Sequence, residues 1–355
     1  MNEFFRTLRS SRRAAALAIA LAVLLSAQLA LLVAEGSGGG AAPGPPSAAA
    51  KIASYWDEVD SRPARDRGLA PYEDLTVEPR RTTARKIPKP PALLADPLAP
   101  FRGLGSWVDT YDYAELHVAA AVRRMAAEGV NTIFVQTGRY DTQGPVDSRV
   151  GDWIVEGHRA GMRVVGWYLP GYRNVDKDVR RTVAVKAYRV SGHRFDAIGV
   201  DIEFKALVRD TTRWNARVVR HIRSVRERIG DFPMAAITPP PLQMELAPST
   251  WAGFPWRKLG ASSDVMVLMD YWSYRDCKSV PDHCAGPYTA KNVKRTRSLT
   301  KRPVHAIGGV GGRVSAREVK AFVRAAKTTN ALGASLYDFR TTHASYWRYL
   351  GKLAI

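Results

Sequence analysis

From residue 101 to the C-terminus, short apolar runs of strand character alternate eight times with stretches of helical period. The runs are RGLGSWVD (102–109), NTIFVQTG (131–138), RVVGWYLP (163–170), FDAIGVDIE (195–203), FPMAAITP (232–239), DVMVLMDYW (264–272), RPVHAIGG (302–309) and ALGASLYDF (331–339). Helical stretches cover 114–127, 153–160, 178–188, 213–229, 289–299 and 315–328, the last with Ser315 as its N-cap. A short irregular connection follows the fifth strand, and a terminal helix lies near Tyr346. Such alternation implies parallel strands joined by crossover helices. Eight units in about 250 residues match a closed (β/α)8 barrel, the TIM barrel, which the sequence predicts for residues 101–355. An open doubly wound sheet is the competing architecture. It usually has fewer strands, and the Gly-rich phosphate loops that serve it are missing here. No cofactor is expected on this reading.

The first 34 residues predict the compartment. Arg6, Arg9, Arg12 and Arg13 precede an uncharged apolar run from Ala14 to Ala34. That run of about 21 residues is long enough to span a bilayer as a helix, and longer than the apolar region of most signal peptides. Basic residues ahead of it predict an N-inside orientation. Leu32 makes a poor cleavage site for a cut after Ala34. Segment 1–34 therefore reads as a signal anchor, with a cleaved signal peptide as the alternative. Either way the remainder is extracytoplasmic, membrane-anchored or secreted. Residues 35–100 are rich first in Gly, Ala, Pro and Ser, then in Pro and Arg, and read as a linker or stalk.

The chain has 53 basic and 33 acidic residues, a net charge of +20. A basic surface favours polyanions, which makes acidic cell-wall polymers a partner to test. Arg is spread along the whole chain rather than gathered in a patch, and no specific nucleic-acid site is predicted. The two cysteines, Cys277 and Cys284 in CKSVPDHC, suit a small-loop disulfide in an oxidising compartment, with free thiols as the alternative. No second ligand pair accompanies them. The histidines are scattered without an H-x-H or H-E-x-x-H pattern, so no metal site is predicted.

Barrel active sites lie at the C-terminal ends of the strands. Along the fourth strand Ile198, Val200 and Ile202 are expected to face the helices, and Ala197, Gly199, Asp201 and Glu203 the lumen. Two carboxylates in one cavity raise at least one pKa and keep a proton available for acid catalysis. A structural pair bound by a neighbouring Lys or Arg is the plainer alternative. The sixth strand ends in Met269-Asp270-Tyr271-Trp272; with Met269 and Tyr271 inward, Asp270 turns outward or to the rim. The first strand ends in Trp107 and Asp109, the second offers Gln136 and Arg139, and the third offers Trp167 and Tyr168. The eighth ends in Tyr337 and Asp338, with Arg340 just beyond. Apolar sugar faces stack on rings while hydroxyls seek carboxylates and amides. Trp107, Asp109, Gln136, Arg139, Tyr168, Trp272, Tyr337, Asp338 and Arg340 are therefore the candidate glycan-binding residues.

FDAIGVDIE resembles the fourth-strand signature of family 18 glycoside hydrolases, the chitinase-like barrels, which reads D-G-x-D-x-D-x-E. Asp196, Asp201 and Glu203 match its first Asp, last Asp and Glu. The resemblance implies that Glu203 is the proton donor and that Asp201 orients the substrate's acetamido group, which acts as nucleophile. Met269-Asp270-Tyr271-Trp272 is similar to the family's sixth-strand M-x-Y-D, which puts Tyr271 in the place of its catalytic Tyr. Tyr337 stands where the family usually has a Trp floor. Gly199 replaces the middle Asp, Ala197 the Gly, and Trp272 the Asp after the Tyr. A divergent relative is implied rather than a true chitinase.

The seventh strand ends in Ile307-Gly308-Gly309 without a carboxylate, which disfavours retaining chemistry with a nucleophile on that strand. Two routes remain: Glu203 as acid with Asp201 assisting, or Asp201 as nucleophile with Asp270 as acid. The leading expectation is an exported glycoside hydrolase acting on a cell-wall or extracellular polysaccharide. A barrel that binds wall glycans without cleaving them, and a basic tether for polyanions, are the alternatives.

Overall fold

The computed structural model describes residues 96–355, together with positions 89 and 91. Its eight strands are β1 (Gly103–Val108), β2 (Thr132–Arg139), β3 (Arg163–Leu169), β4 (Ala197–Asp201), β5 (Met234–Thr238), β6 (Val265–Met269), β7 (Val304–Val310) and β8 (Gly333–Tyr337). Each pairs in parallel with the next, and β8 closes on β1 through Gly103↔Gly333 and Leu104↔Ala334. This is the (β/α)8 barrel that the alternating sequence predicts. Segment 1–34 and nearly all of 35–100 lie outside the described residues. Among the described residues no helix is long and apolar enough to cross a membrane.

The helices are α1 (Val118–Ala127), α2 (Val150–Arg159), α3 (Val175–Ala187), α4 (Thr211–Ile229), α5 (Pro241–Leu246), α6 (Pro248–Trp251), α7 (Trp256–Ser262), α8 (Ala285–Thr300), α9 (Ala316–Thr328) and α10 (Trp347–Leu350). α1 begins later than its apolar pattern suggests. His117 caps it by accepting from the Ala120 amide, and residues 112–114 form a separate 3-10 turn. α9 begins with a reciprocal box in which Ser315 and Glu318 each accept from the other's amide. The connection after β5, irregular in the sequence, is folded into α5, α6 and α7.

Strand alternation divides the apolar residues into two layers. Ile198, Val200 and Ile202 pack outward with Val218, Ile222 and Val225 of α4. Phe134, Val165, Ala235, Ile237, Val267 and Ile307 fill the lumen. Each fully buried aliphatic or aromatic side chain contributes about 1.5–3 kcal/mol, so the lumen is a packed plug and only its upper end is open to chemistry. Phe101, in the 3-10 turn ahead of β1, closes the bottom, and its carbonyl accepts from His305 Nδ1 at 2.9 Å.

Candidate active site

Asp201 ends β4 on the face that Ala197 turns to the lumen. Beyond it the Ile202 amide still donates to the Ile237 carbonyl at 2.8 Å, so the extended course continues and carries Glu203 into the mouth. Asp201 is buried, and its Oδ1 has no hydrogen-bond partner. Glu203 is exposed to solvent, yet the bowl of the barrel surrounds it. Lost hydration raises the Glu203 carboxyl to about 7. Burial raises Asp201 well above the carboxylate range, and repulsion from Glu203 adds to it. Among the described residues neither carboxylate has an ion-pair partner, which separates this pair from a structural salt bridge.

Aromatic rings line the mouth beside the pair. Trp107 stacks on Phe134 with centroids 4.2 Å apart and meets Trp167 edge-on at 5.9 Å. Tyr337 lies 6.3 Å from Trp107 and 6.0 Å from Tyr271. Burial raises the Tyr271 hydroxyl well above its ordinary value, and the charges of Glu203 and Asp201 raise it further. Tyr271 therefore stays a neutral hydrogen-bond donor facing the pair.

A buried polar chain fixes Trp107 from below. Burial lowers His305 to about 4, so its ring is neutral. Its Nδ1–H donates to the Phe101 carbonyl, which leaves Nε2 as the acceptor. Ser335 Oγ–H then donates to Nε2 at 3.0 Å, and Ser335 Oγ accepts from Trp107 Nε1–H at 2.8 Å. No sequence motif marks this chain, whose members come together only when β1, β7 and β8 close the barrel.

Gly199, where the resemblance expects a carboxylate, faces a filled space. A Cβ there would stand 2.8 Å from Ile237 Cδ1 and 3.0 Å from Trp167 Cβ. The volume of the missing side chain is thus taken by apolar neighbours, and Asp201 has no carboxylate below it.

A second acidic group lies at the β1–β8 seam. Asp109, Asp112 and Asp338 bring carboxylate oxygens within 4.8 Å of one another, the arrangement that could hold a cation. Arg340 supplies that charge, with Nε 2.9 Å from Asp112 Oδ1. Burial raises Asp112 well above its ordinary value and Asp338 to about 6. Asp109 accepts from the Tyr337 hydroxyl. Gln136 accepts from Thr110, and Arg139 reaches Tyr111 and Asp141, so both are held at the β1–β2 rim.

Four residues singled out in the sequence lie away from the mouth. Tyr168 faces outward because Val165 and Trp167 take the inward positions of β3; its hydroxyl donates to Asp178 of α3 at 2.8 Å. Trp272 packs against Phe322 of α9 in the outer layer. Met269 and Tyr271 pack inward, so Asp270 between them turns out beside Asn292 of α8. Burial raises it well above its ordinary value, with Asn292 and Arg275 only partly offsetting this. The route with Asp270 as acid therefore loses its geometry. Asp196 sits at the opposite end of β4, accepting from the Val164 amide and pairing with His158 Nε2 at 2.9 Å. Cys277 and Cys284 are joined by a disulfide in the loop between β6 and α8. Lys205, Trp214 and Trp251, which no motif in the sequence marks as a group, meet beside the β4 loop. Their signals were a lysine two residues after Glu203 and the aromatic-rich WAGFPW (251–256).

Solved structures with this architecture include several glycoside hydrolases. A class V chitinase from Pseudomonas fluorescens Pf-5 is 11% identical, with a TM-score of 0.52 over 71% of this chain and 99% of its own. The spore cortex-lytic enzyme SleL of Bacillus cereus is 9% identical, with a TM-score of 0.52 over 72% of this chain and 75% of its own. An endo-1,4-beta-mannanase from Rhizomucor miehei is 9% identical, with a TM-score of 0.53 over 74% and 97%. The likeness is one of fold. No protein-family model and no curated protein matches the sequence.

Proposed function

We propose that the chain is an exported glycoside hydrolase that cleaves a cell-wall or extracellular polysaccharide. The observation that carries this reading is the Asp201–Glu203 pair, without a cationic partner among the described residues and shifted toward its protonated forms in an aromatic-lined mouth. Glu203 gives its proton to the glycosidic oxygen as the bond from that oxygen to the anomeric carbon breaks. Asp201, with an oxygen free of protein partners, holds the substrate's acetamido group while its carbonyl oxygen closes on the same carbon. The Tyr271 hydroxyl supports that group. Water then opens the intermediate and returns a proton to Glu203. Tyr337, half-buried at the end of β8, offers a ring face to the sugars, with the buried Trp107 packed beside it. A shared fold with a chitinase and a spore cortex-lytic enzyme supports the substrate class. Export, with anchoring or secretion through segment 1–34, rests on the sequence and suits the disulfide. Contact with acidic wall polymers rests on the net charge of +20.

Glu203→Gln is expected to abolish product release from a panel of wall glycans while circular dichroism stays native. Unchanged cleavage would overturn the assignment. Gly199 favours a second reading, a barrel that binds wall glycans without cleaving them. Affinity with no product from the wild type would select it.

A further inference from the structure

Lys205 follows Glu203 by two residues on the loop that leaves β4. Its ammonium is held elsewhere. Nζ lies 4.8 Å from the ring centroid of Trp214 and 5.1 Å from that of Trp251. It donates to Thr211 Oγ1 at 3.2 Å and to the Thr250 carbonyl. Both rings are themselves fixed. Trp214 is fully buried near the start of α4, and its Nε1–H donates to the Phe204 carbonyl at 2.9 Å. Trp251 ends α6 and meets Trp214 and Phe254 edge-on, each at 5.9 Å. A cation over an indole face is attracted by the ring quadrupole, more strongly as water is excluded. Burial lowers Lys205 to about 8, with Asp210 opposing.

Among the described residues, the ionisable groups that feel the charge of Glu203 are Asp201 from β4 and Tyr271 from the end of β6. Neither is a cation. Lys205 is the basic residue nearest to Glu203 in the chain, and released from its rings its long side chain could swing to the mouth. An ammonium within roughly 4–6 Å lowers a carboxyl pKa by about 1–3 units. A general acid must instead keep its proton near neutral pH.

We propose that Trp214 and Trp251 sequester the Lys205 ammonium and so prevent an ion pair that would strip Glu203 of its proton. Lys205 and its two rings are positioning residues that act through Glu203. The inference rests on Glu203 as the acid, but its test needs no catalysis. The full chain, labelled with ¹³C at the glutamate carboxyls, is titrated by NMR, and Glu203→Gln identifies the signal. The wild-type midpoint is expected near 7. Trp251→Leu is expected to lower it by about one pH unit or more. Lys205→Met alone should leave it in place, and Trp251→Leu combined with Lys205→Met should restore it. An unmoved midpoint in Trp251→Leu overturns the proposal. So does a double variant as low as the single one, because the lost ring would then act without the ammonium. If Trp251→Leu does not fold, Trp251→Phe keeps a smaller ring with a weaker hold and carries the same comparison. Glycan cleavage by Glu203→Gln, measured separately, would remove the acid assignment while the titration still reports on Lys205.

Discussion

The Tyr337 hydroxyl donates to Asp109 Oδ2 at 2.9 Å and ties the end of β8 to the end of β1, where the barrel closes. The other Asp109 oxygen accepts from the Tyr111 amide, so the carboxylate is held from two sides. Tyr337→Phe keeps the ring beside Trp107 and Tyr271 but removes a hydrogen bond to a charged group. Urea denaturation should show a loss of about 1.5–3 kcal/mol. An unchanged midpoint would mean that the bond contributes nothing to closure.

Ser335 sits between two groups that have no other use for it. Replacing it with Ala strips the acceptor from Trp107 Nε1–H and the donor from His305 Nε2, both buried. Thermal or urea unfolding should show a loss of about 1–3 kcal/mol, because each orphaned group keeps its desolvation cost. Glycan affinity should fall as well, since the buried Trp107 that this chain orients packs beside the half-buried Tyr337. Wild-type stability in Ser335→Ala would show that water replaces the hydroxyl at no cost.

Gly199→Asp tests why the strand lacks a middle carboxylate. The new Cβ meets Ile237 and Trp167 at 2.8 and 3.0 Å, so overpacking should cost about 1–3 kcal/mol. Adding Ile237→Ala removes the closest atom and is expected to return part of that loss. If Gly199→Asp is as stable as the wild type, the packing account of Gly199 is wrong.

Much of the barrel was legible because its signals are local. Period-two alternation marks each strand, and Ile198, Val200 and Ile202 already name the outer face of β4. At the end of the third strand Trp167 and Tyr168 are neighbours and only one can point inward; the barrel gives that position to Trp167 and turns Tyr168 to Asp178. At Trp272 the chain leaves the strand into a 3-10 turn, so the period no longer says where the side chain goes. Asp196 shows the limit of a motif: its spacing matches, yet it stands at the far end of the strand from Glu203 and binds His158. The Lys205 cage was invisible for a different reason. It joins three segments brought together only by the fold, and one of them, α6, read as irregular chain.

The Asp201–Glu203 pair makes stability depend on pH in a definite direction. Glu203 is raised from 4.5 in the free residue to about 7 in the folded protein, and Asp201 is raised as well. The folded state therefore binds more protons than the unfolded chain between these values. Stability from this source is fully present below about 4.5 and is lost as the pH rises through about 7. Asp112, and Asp338 at about 6, act in the same sense. His221 and His305, lowered by burial from 6.5 to about 4, act in the opposite sense up to about 6.5, so the melting temperature of the wild type should fall most clearly above about 6.5, toward pH 8. Glu203→Gln keeps the shape of the side chain without its titration, so its curve should fall less steeply and cross above the wild type at pH 8. Asp112 and Asp338 leave a residual slope. Parallel curves for the two proteins would show that Glu203 titrates alike in both states, which would also remove the reason to read it as an acid held ready at neutral pH.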